Sequence, residues 1–193
     1  MLCVRYWRPL YNVELFVKAI PSILKKIENV KFVMLGGGPL EHKLKKLARR
    51  LGVYENIVFI GRIPETEMPA YLASVDVYVD PICDYRPDGF GNVVVARGTG
   101  GIGQTTRQIM SCGTPCILSD TIGIRSLDHF HGLLYKQMDH RDLARKIVYA
   151  LSNDKLRKEI GEKSRKAALE NFDEKKIMKK WENVYHNLKD AYV

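Results

Sequence analysis

The sequence predicts an α/β chain: one parallel sheet, covered by helices on both faces in three layers. Three observations carry that reading. Short apolar runs alternate with amphipathic helical patterns, about seven times along the chain. The runs are near-continuous hydrophobics, as expected of strands buried from both sides. Glycine- or proline-rich turns close several of them, at 8–12, 36–39, 61–64 and 98–104. In an open parallel sheet, ligands gather beyond the carboxyl ends of the strands.

The elements follow in order. Residues 1–7 read as an apolar strand, broken by Arg8-Pro9-Leu10-Tyr11-Asn12. Asn12 is placed to cap a helix over 13–28, where Leu15, Phe16, Ala19, Ile20 and Ile23 recur at helical spacing. Pro21 falls inside it as a candidate kink. A buried strand over 30–35 runs into Gly36-Gly37-Gly38-Pro39, and a basic helix spans 40–51. A strand over 56–60 ends at Gly61-Arg62-Ile63-Pro64. A short helix over 66–74 carries Pro69 in its first turn, where proline is tolerated. The strand over 75–79 stops at Asp80-Pro81. Residues 82–101 are irregular, although Val93-Val94-Val95 could pair as a short strand. A loop that long in a compact domain is usually functional or mobile. Beyond it come a helix over 105–112, strands over 115–119 and 133–135, and a helix over 141–151. Two charged amphipathic helices, 156–171 and 174–188, close the chain.

The stretch from Gly98 to Pro115, GTGGIGQTTRQIMSCGTP, organises the rest. Its glycines let the backbone approach a ligand closely. The following helix then presents unpaired N–H groups and the positive end of its dipole. Together these make a phosphate seat. A glycine-rich surface loop that binds nothing is the plain alternative.

Composition narrows the partners. The chain has 193 residues, 46% of them hydrophobic, enough for a sizeable core. Its 31 basic and 22 acidic side chains leave a net charge of +9, which favours an anionic partner without choosing one. The lysines and arginines of 25–26 and 43–50 read as a solvated helix face, and no nucleic-acid motif with interleaved aromatics accompanies them. The cysteines, Cys3, Cys83, Cys112 and Cys116, form no C-x-x-C pair, which suggests a reducing compartment and no disulfide framework. His129 and His131 lack a third ligand, so no metal site is expected. No run is long enough to span a bilayer and no signal-peptide pattern opens the chain. The expectation is a soluble, cytoplasmic protein, with peripheral membrane contact kept open. Gly98-x-Gly100-x-x-Gly103 after 93–97, with Asp120 beyond, also fits a dinucleotide (NAD-type) fingerprint, though it falls past mid-chain where such a motif normally opens the fold.

Six stretches together match a known pattern. They are VELFVKA (13–19), FVMLGGGP (32–39), IVFIG (57–61), AYLASVDVYV (70–79), MSCGTP (110–115) and the closing Asn171-Phe172-Asp173 through Trp181 and Tyr185. In this order the chain resembles the C-terminal, donor-binding domain of GT-B glycosyltransferases, of the retaining family 4 group. The resemblance covers nearly the whole chain. It implies a Rossmann-like domain, one half of a GT-B fold, spanning 1–193 with C-terminal helices over 156–188. It implies the donor-binding half of a retaining transferase, which moves a sugar from a nucleotide-diphospho-sugar to an acceptor hydroxyl without metal or other cofactor. By the same resemblance, Arg5 or Arg8 would neutralise the diphosphate, and Arg62 and Ile63 would lie against the nucleobase. Gly101, Ile102, Gly103, Gln104 and Thr105 would cradle the phosphates, and Gln108 would meet the ribose. Three departures stand out. The family's lysine before the first helix is replaced by Tyr11-Asn12. Its two glutamates fall at Gly100 and Gln108, with Asp88 a rival for the first, so no catalytic residue is assigned. Its N-terminal acceptor domain has no counterpart here. The expectation is therefore a fragment or a stand-alone donor-type domain, binding a nucleotide but transferring no sugar alone. A non-catalytic nucleotide-binding module with a degenerate site is the competing class.

Overall fold

The computed structural model describes residues 1–87, 93–95 and 102–191. The main sheet has six parallel strands: β1 (Leu2–Val4), β2 (Phe32–Leu35), β3 (Ile57–Gly61), β4 (Tyr78–Asp80), β7 (Cys116–Ser119) and β8 (Leu133–Tyr135). Their spatial order is β3-β2-β1-β4-β7-β8. The chain thus starts in the middle, winds out to one edge, returns, and winds out to the other. The reversal falls between β1 and β4, and an open sheet forms its crevice at such a reversal.

Alternation within each strand builds the two outer layers. Cys3, Val77, Val79 and Ile117 point to one face, where they join Phe16, Ile20 and other residues of α1 (Val13–Leu24), α2 (Glu41–Arg50) and α6 (His140–Leu151) in one core. Leu2, Val4, Tyr78, Cys116 and Leu118 point to the other face. There they meet α3 (Met68–Ala73), α4 (Gln104–Ser111) and α7 (Asp154–Asn171). The helix over 174–188 is α8 (Glu174–Ala191), and Met178, Trp181 and Tyr185 on it are exposed.

Several elements differ from expectation for local reasons. β1 stops at Val4; Arg5 N–H still donates to the Leu35 carbonyl at the end of β2, and the chain then follows the turn, with Trp7 N–H donating to the Gly37 carbonyl. Asn12 does not cap α1 with its side chain. It adopts a left-handed backbone (φ 49°), and its Nδ2 donates to Met138 Sδ across the sheet end. α1 ends at Leu24, one turn before the predicted limit, and accommodates Pro21. Of the irregular stretch, β5 (Tyr85–Pro87) and β6 (Val93–Val95) form an antiparallel hairpin apart from the main sheet, so the valines do pair. A one-turn helix, α5 (Ile122–Arg125), follows β7. His129 and His131 precede β8, and the His129 ring packs edge-on against Phe172. Cys3, Cys83 and Cys116 are buried, Cys112 is half-buried, and no disulfide joins them.

Candidate functional site

The crevice at the β1/β4 reversal is built around a buried ion pair. Asp80 is the last residue of β4 and only 2% exposed. A charge so placed must be paired. Its partner comes from the residue just past β1: Arg5 Nε donates to Asp80 Oδ1 at 2.8 Å, and the second guanidinium nitrogen meets Oδ2. The Ile82 N–H also donates to Oδ1 at 3.2 Å, and Thr106 Oγ1, in the first turn of α4, donates to Oδ2 at 3.4 Å. One carboxylate thus ties together the ends of β1 and β4 and the head of α4.

The turn after β2 packs onto the same corner. Gly36 has φ +138°, and a Cβ there would overlap the Arg5 carbonyl. The close approach of two backbones requires glycine. At Gly37 a Cβ would lie 3.4 Å from Cγ and Nε of Arg62, so that side chain passes directly over the turn. Arg62 and Ile63 follow β3 and reach the same rim.

A cavity of about 300 Å³ opens there, lined by Arg5, Tyr6, Tyr11, Arg62, Ile63 and Thr105 among others. The Arg62 Cζ lies 5.1 Å from the Tyr6 ring centroid, and the exposed Arg8 stacks on the same ring with Cζ at 4.6 Å. Arg5 Cζ stands 5.6 Å from the Tyr11 ring. Gly103 is the N-cap of α4 and offers no capping side chain, so the first-turn amides lack an intrahelical partner. A Cβ on Gly103 would be 3.7 Å from a terminal nitrogen of Arg5, which brings the helix head and this arginine side by side. A larger cavity of about 500 Å³ lies around Met1, Lys31 and Asp76, at the opposite end of the strands. No glycine lines it among the described residues, and we place the site at the smaller one.

The structure therefore brings Arg5, Arg62, Ile63 and Thr105 to one cavity, with Gly103 against Arg5. Ile102 is buried beneath the helix head, and Gln104 is exposed at its first position. Gln108 is half-buried, three residues beyond Thr105 and so on the same helix side. Arg8 approaches through Tyr6. Gly98, Gly100, Gly101 and Asp88 lie outside the described residues. Sequence reasoning missed Asp80, Thr106 and Tyr6. Asp80 was detectable: it is a lone acid ending an otherwise apolar strand, just before Pro81.

Under the ion pair the buried thiols and phenols are neutral. Burial pushes the Cys3 thiol and the Tyr78 hydroxyl up to about 12, and raises Cys116 and Tyr135 as well. None of them is a nucleophile or base near neutrality. Farther along the rim, buried Asp84 accepts from Gln137 Nε2 at 2.9 Å and from the Ile122 N–H at 3.0 Å. No group of three His, Cys, Asp or Glu able to hold a metal occurs among the described residues. The dinucleotide reading loses its support. The strand before its glycines, β6, belongs to the antiparallel hairpin and not to a parallel unit. Asp120 is also taken, because its carboxylate is held by Arg125 at 2.6 and 2.5 Å and kept below the usual carboxylate range by that bond.

The sequence model of the family described as glycosyl transferases group 1 matches residues 1–167. The chain belongs to that family. Among relatives of this group 1 chain is a GDP-mannose-dependent α-(1-6)-phosphatidylinositol monomannoside mannosyltransferase of Mycobacterium tuberculosis. It is 30% identical over 123 residues, which is 64% of this chain and 30% of the relative. Anabaena HepE in complex with UDP superposes with a TM-score of 0.78 at 15% identity, over 96% of this chain and 48% of that one. The C-terminal domain of a group 1 protein from Francisella tularensis (LpcC) superposes with a TM-score of 0.72 at 19% identity, over 89% of this chain and 85% of that domain. The group 1 chain thus spans less than half the length of the M. tuberculosis and Anabaena proteins. No described helix is long and apolar enough to cross a membrane.

Proposed function

We propose that this chain is the donor-binding half of a retaining glycosyltransferase, which transfers a sugar from a nucleotide-diphospho-sugar to an acceptor hydroxyl. One observation carries the reading: at the point where the sheet reverses, the amide-bearing head of α4 faces a cavity rimmed by arginines. The diphosphate would rest on the Gly103–Thr105 amides, with the base toward Ile63 and the ribose toward Gln108. When the bond from the anomeric carbon to the diphosphate breaks, its electron pair goes to the leaving diphosphate. Preorganised amides and a guanidinium stabilise that charge as it develops. The acceptor would come from an N-terminal half, which the greater length of the relatives supports. A lipid-linked acceptor, as in the name of the M. tuberculosis relative, would bring the basic chain to a membrane surface from the cytoplasm.

Titration of the chain with UDP-, GDP- and ADP-sugars, against NAD and short oligonucleotides, tests this. Binding of one sugar nucleotide, and of neither control, is expected. Tight NAD binding without sugar-nucleotide binding would overturn it. Gly100 and Gln108, at the family's glutamate positions, favour a second reading: a nucleotide-binding module that has lost its chemistry. Joining the chain to an acceptor half from a relative separates the two, since sugar transfer is expected only from an enzyme.

A further inference from the structure

We propose that Tyr6 is a positioning residue, holding Arg8 and Arg62 as the counter-charge for the donor diphosphate, while Arg5 is a structural ion. The proposal rests on the donor-site reading above and divides its charges.

Arg5 is spent on Asp80. Nε and a terminal nitrogen of its guanidinium are both engaged by a carboxylate 2% exposed, so the pair has no net charge to offer a ligand. Beyond a few ångströms such a pair acts as a dipole, whose field falls off faster than that of a single charge. Arg8 and Arg62 are in the opposite condition. Among the described residues neither meets a carboxylate. Each is held instead by one aromatic ring, with Cζ at 4.6 and 5.1 Å from the Tyr6 centroid. An aryl face attracts a guanidinium through its quadrupole and carries no net charge. It therefore orients both forks without neutralising either, whereas a carboxylate at position 6 would cancel the charge it held.

The surroundings fit that role. Tyr6 and Arg62 line the same cavity, which the head of α4 also reaches through Thr105. The two arginines arrive from separate turns, after β1 and after β3, and Tyr6 brings them to one place. Arg62 also lies against the β2 turn, over Gly37. Two planar, unneutralised forks suit the oxygens of a nucleoside diphosphate.

The test is calorimetric titration of the full chain with UDP, GDP and ADP at several salt concentrations. It compares wild type with Tyr6→Phe, Tyr6→Leu, Arg8→Gln and Arg62→Gln. Tyr6→Phe keeps the aryl face and should bind within about twofold of wild type. Tyr6→Leu should weaken binding about tenfold and flatten its salt dependence, with circular dichroism unchanged. In the Tyr6→Leu background each arginine substitution should cost less than it does alone. The proposal fails if Tyr6→Leu binds like wild type, if Tyr6→Phe is as weak as Tyr6→Leu, or if the effects add. In those outcomes wild type still binds, so the donor reading stands. If wild type binds none of the three diphosphates, that reading falls and takes this one with it.

Discussion

Replacing Asp80 with alanine should destabilise the fold far more than removing the whole ion pair. Breaking one side of a buried pair typically costs 3–5 kcal/mol, because an uncompensated charge stays behind. Here the stranded group is Arg5, whose side chain is 13% exposed, so some water reaches it. The lower end, about 3 kcal/mol, is the reasonable figure. The Ile82 amide and the Thr106 hydroxyl also lose their acceptor, adding about 1 kcal/mol. A domain of this size shifts its midpoint roughly 2–4 °C per kcal/mol, so Asp80→Ala should melt about 8–16 °C lower. Asp80→Leu combined with Arg5→Met removes both charges and should recover much of that loss. Thermal unfolding followed by circular dichroism, with urea titration for the free energies, measures the cycle. If Asp80→Ala costs under about 1 kcal/mol, the carboxylate is not the keystone described here. If the double variant is as unstable as the sum of the singles, the stranded-charge argument is wrong.

Three further outcomes are expected. Gly103→Val should fold normally, since its Cβ has 3.7 Å to the nearest Arg5 atom, yet should abolish nucleotide binding by covering the helix-head amides; unchanged affinity would move the seat elsewhere. Asp139 caps α6, and the Asp142 and then the Arg141 amides hold its carboxyl below the ordinary range. Its contribution is therefore present above the unfolded pKa of about 4 and lost as pH falls through the lower folded value. Asp139→Ala should cost about 1 kcal/mol at pH 7, with the gap to wild type closing below pH 4. Asp139→Asn should keep the cap and lose that pH dependence; a gap that persists at low pH would contradict this account. A small alkylating reagent at neutral pH should label Cys112 alone in the native chain and all four thiols in denaturant, because Cys3, Cys83 and Cys116 are buried. Native labelling of a second thiol, read by mass spectrometry, would contradict the packing.

Legibility in the sequence tracked the range of the interaction. The long amphipathic helices and the apolar strands are local patterns; α6 and α7 appear where their spacing places them, and α1 does so but for its last turn. The one-turn helix α5 and the three-residue β5 are too short for a period to show. Asn12 misled for a different reason. Its place before an apolar helical run fits a capping residue, but Met138 stands 126 positions away and draws its side chain off. The site divided in the same way. Glycines before a helix, and arginines just past strands, are visible along the chain. That Arg5 is consumed by Asp80, 75 residues on, depends on which strands become neighbours. Tyr6 reads as one more apolar residue of a strand until the turn after β3 brings Arg62 over it.

The altered site residues favour a rebuilt pocket over an eroded one. Loss of function without replacement leaves charges stranded, and a stranded buried ion is costly enough to be removed or to unfold the chain. Among the described residues no such remnant is seen at the ion pair itself. Arg5 and Asp80 satisfy each other, and Thr106 and the Ile82 amide complete the carboxylate. Where the family pattern has a lysine, Tyr11 puts its ring under Arg5, an aromatic face in place of a second positive charge beside an arginine already paired. Where the pattern has a glutamate, Gln108 keeps the length and the hydrogen-bonding capacity and gives up only the charge. The lysine's charge and those of both glutamates are thus missing, while two unneutralised arginines stand on a single ring. A paired ion that joins separate strands, beside cations left unpaired, suits a pocket that receives an anion. That is why we place ligand binding, in either functional reading, at this corner of the sheet.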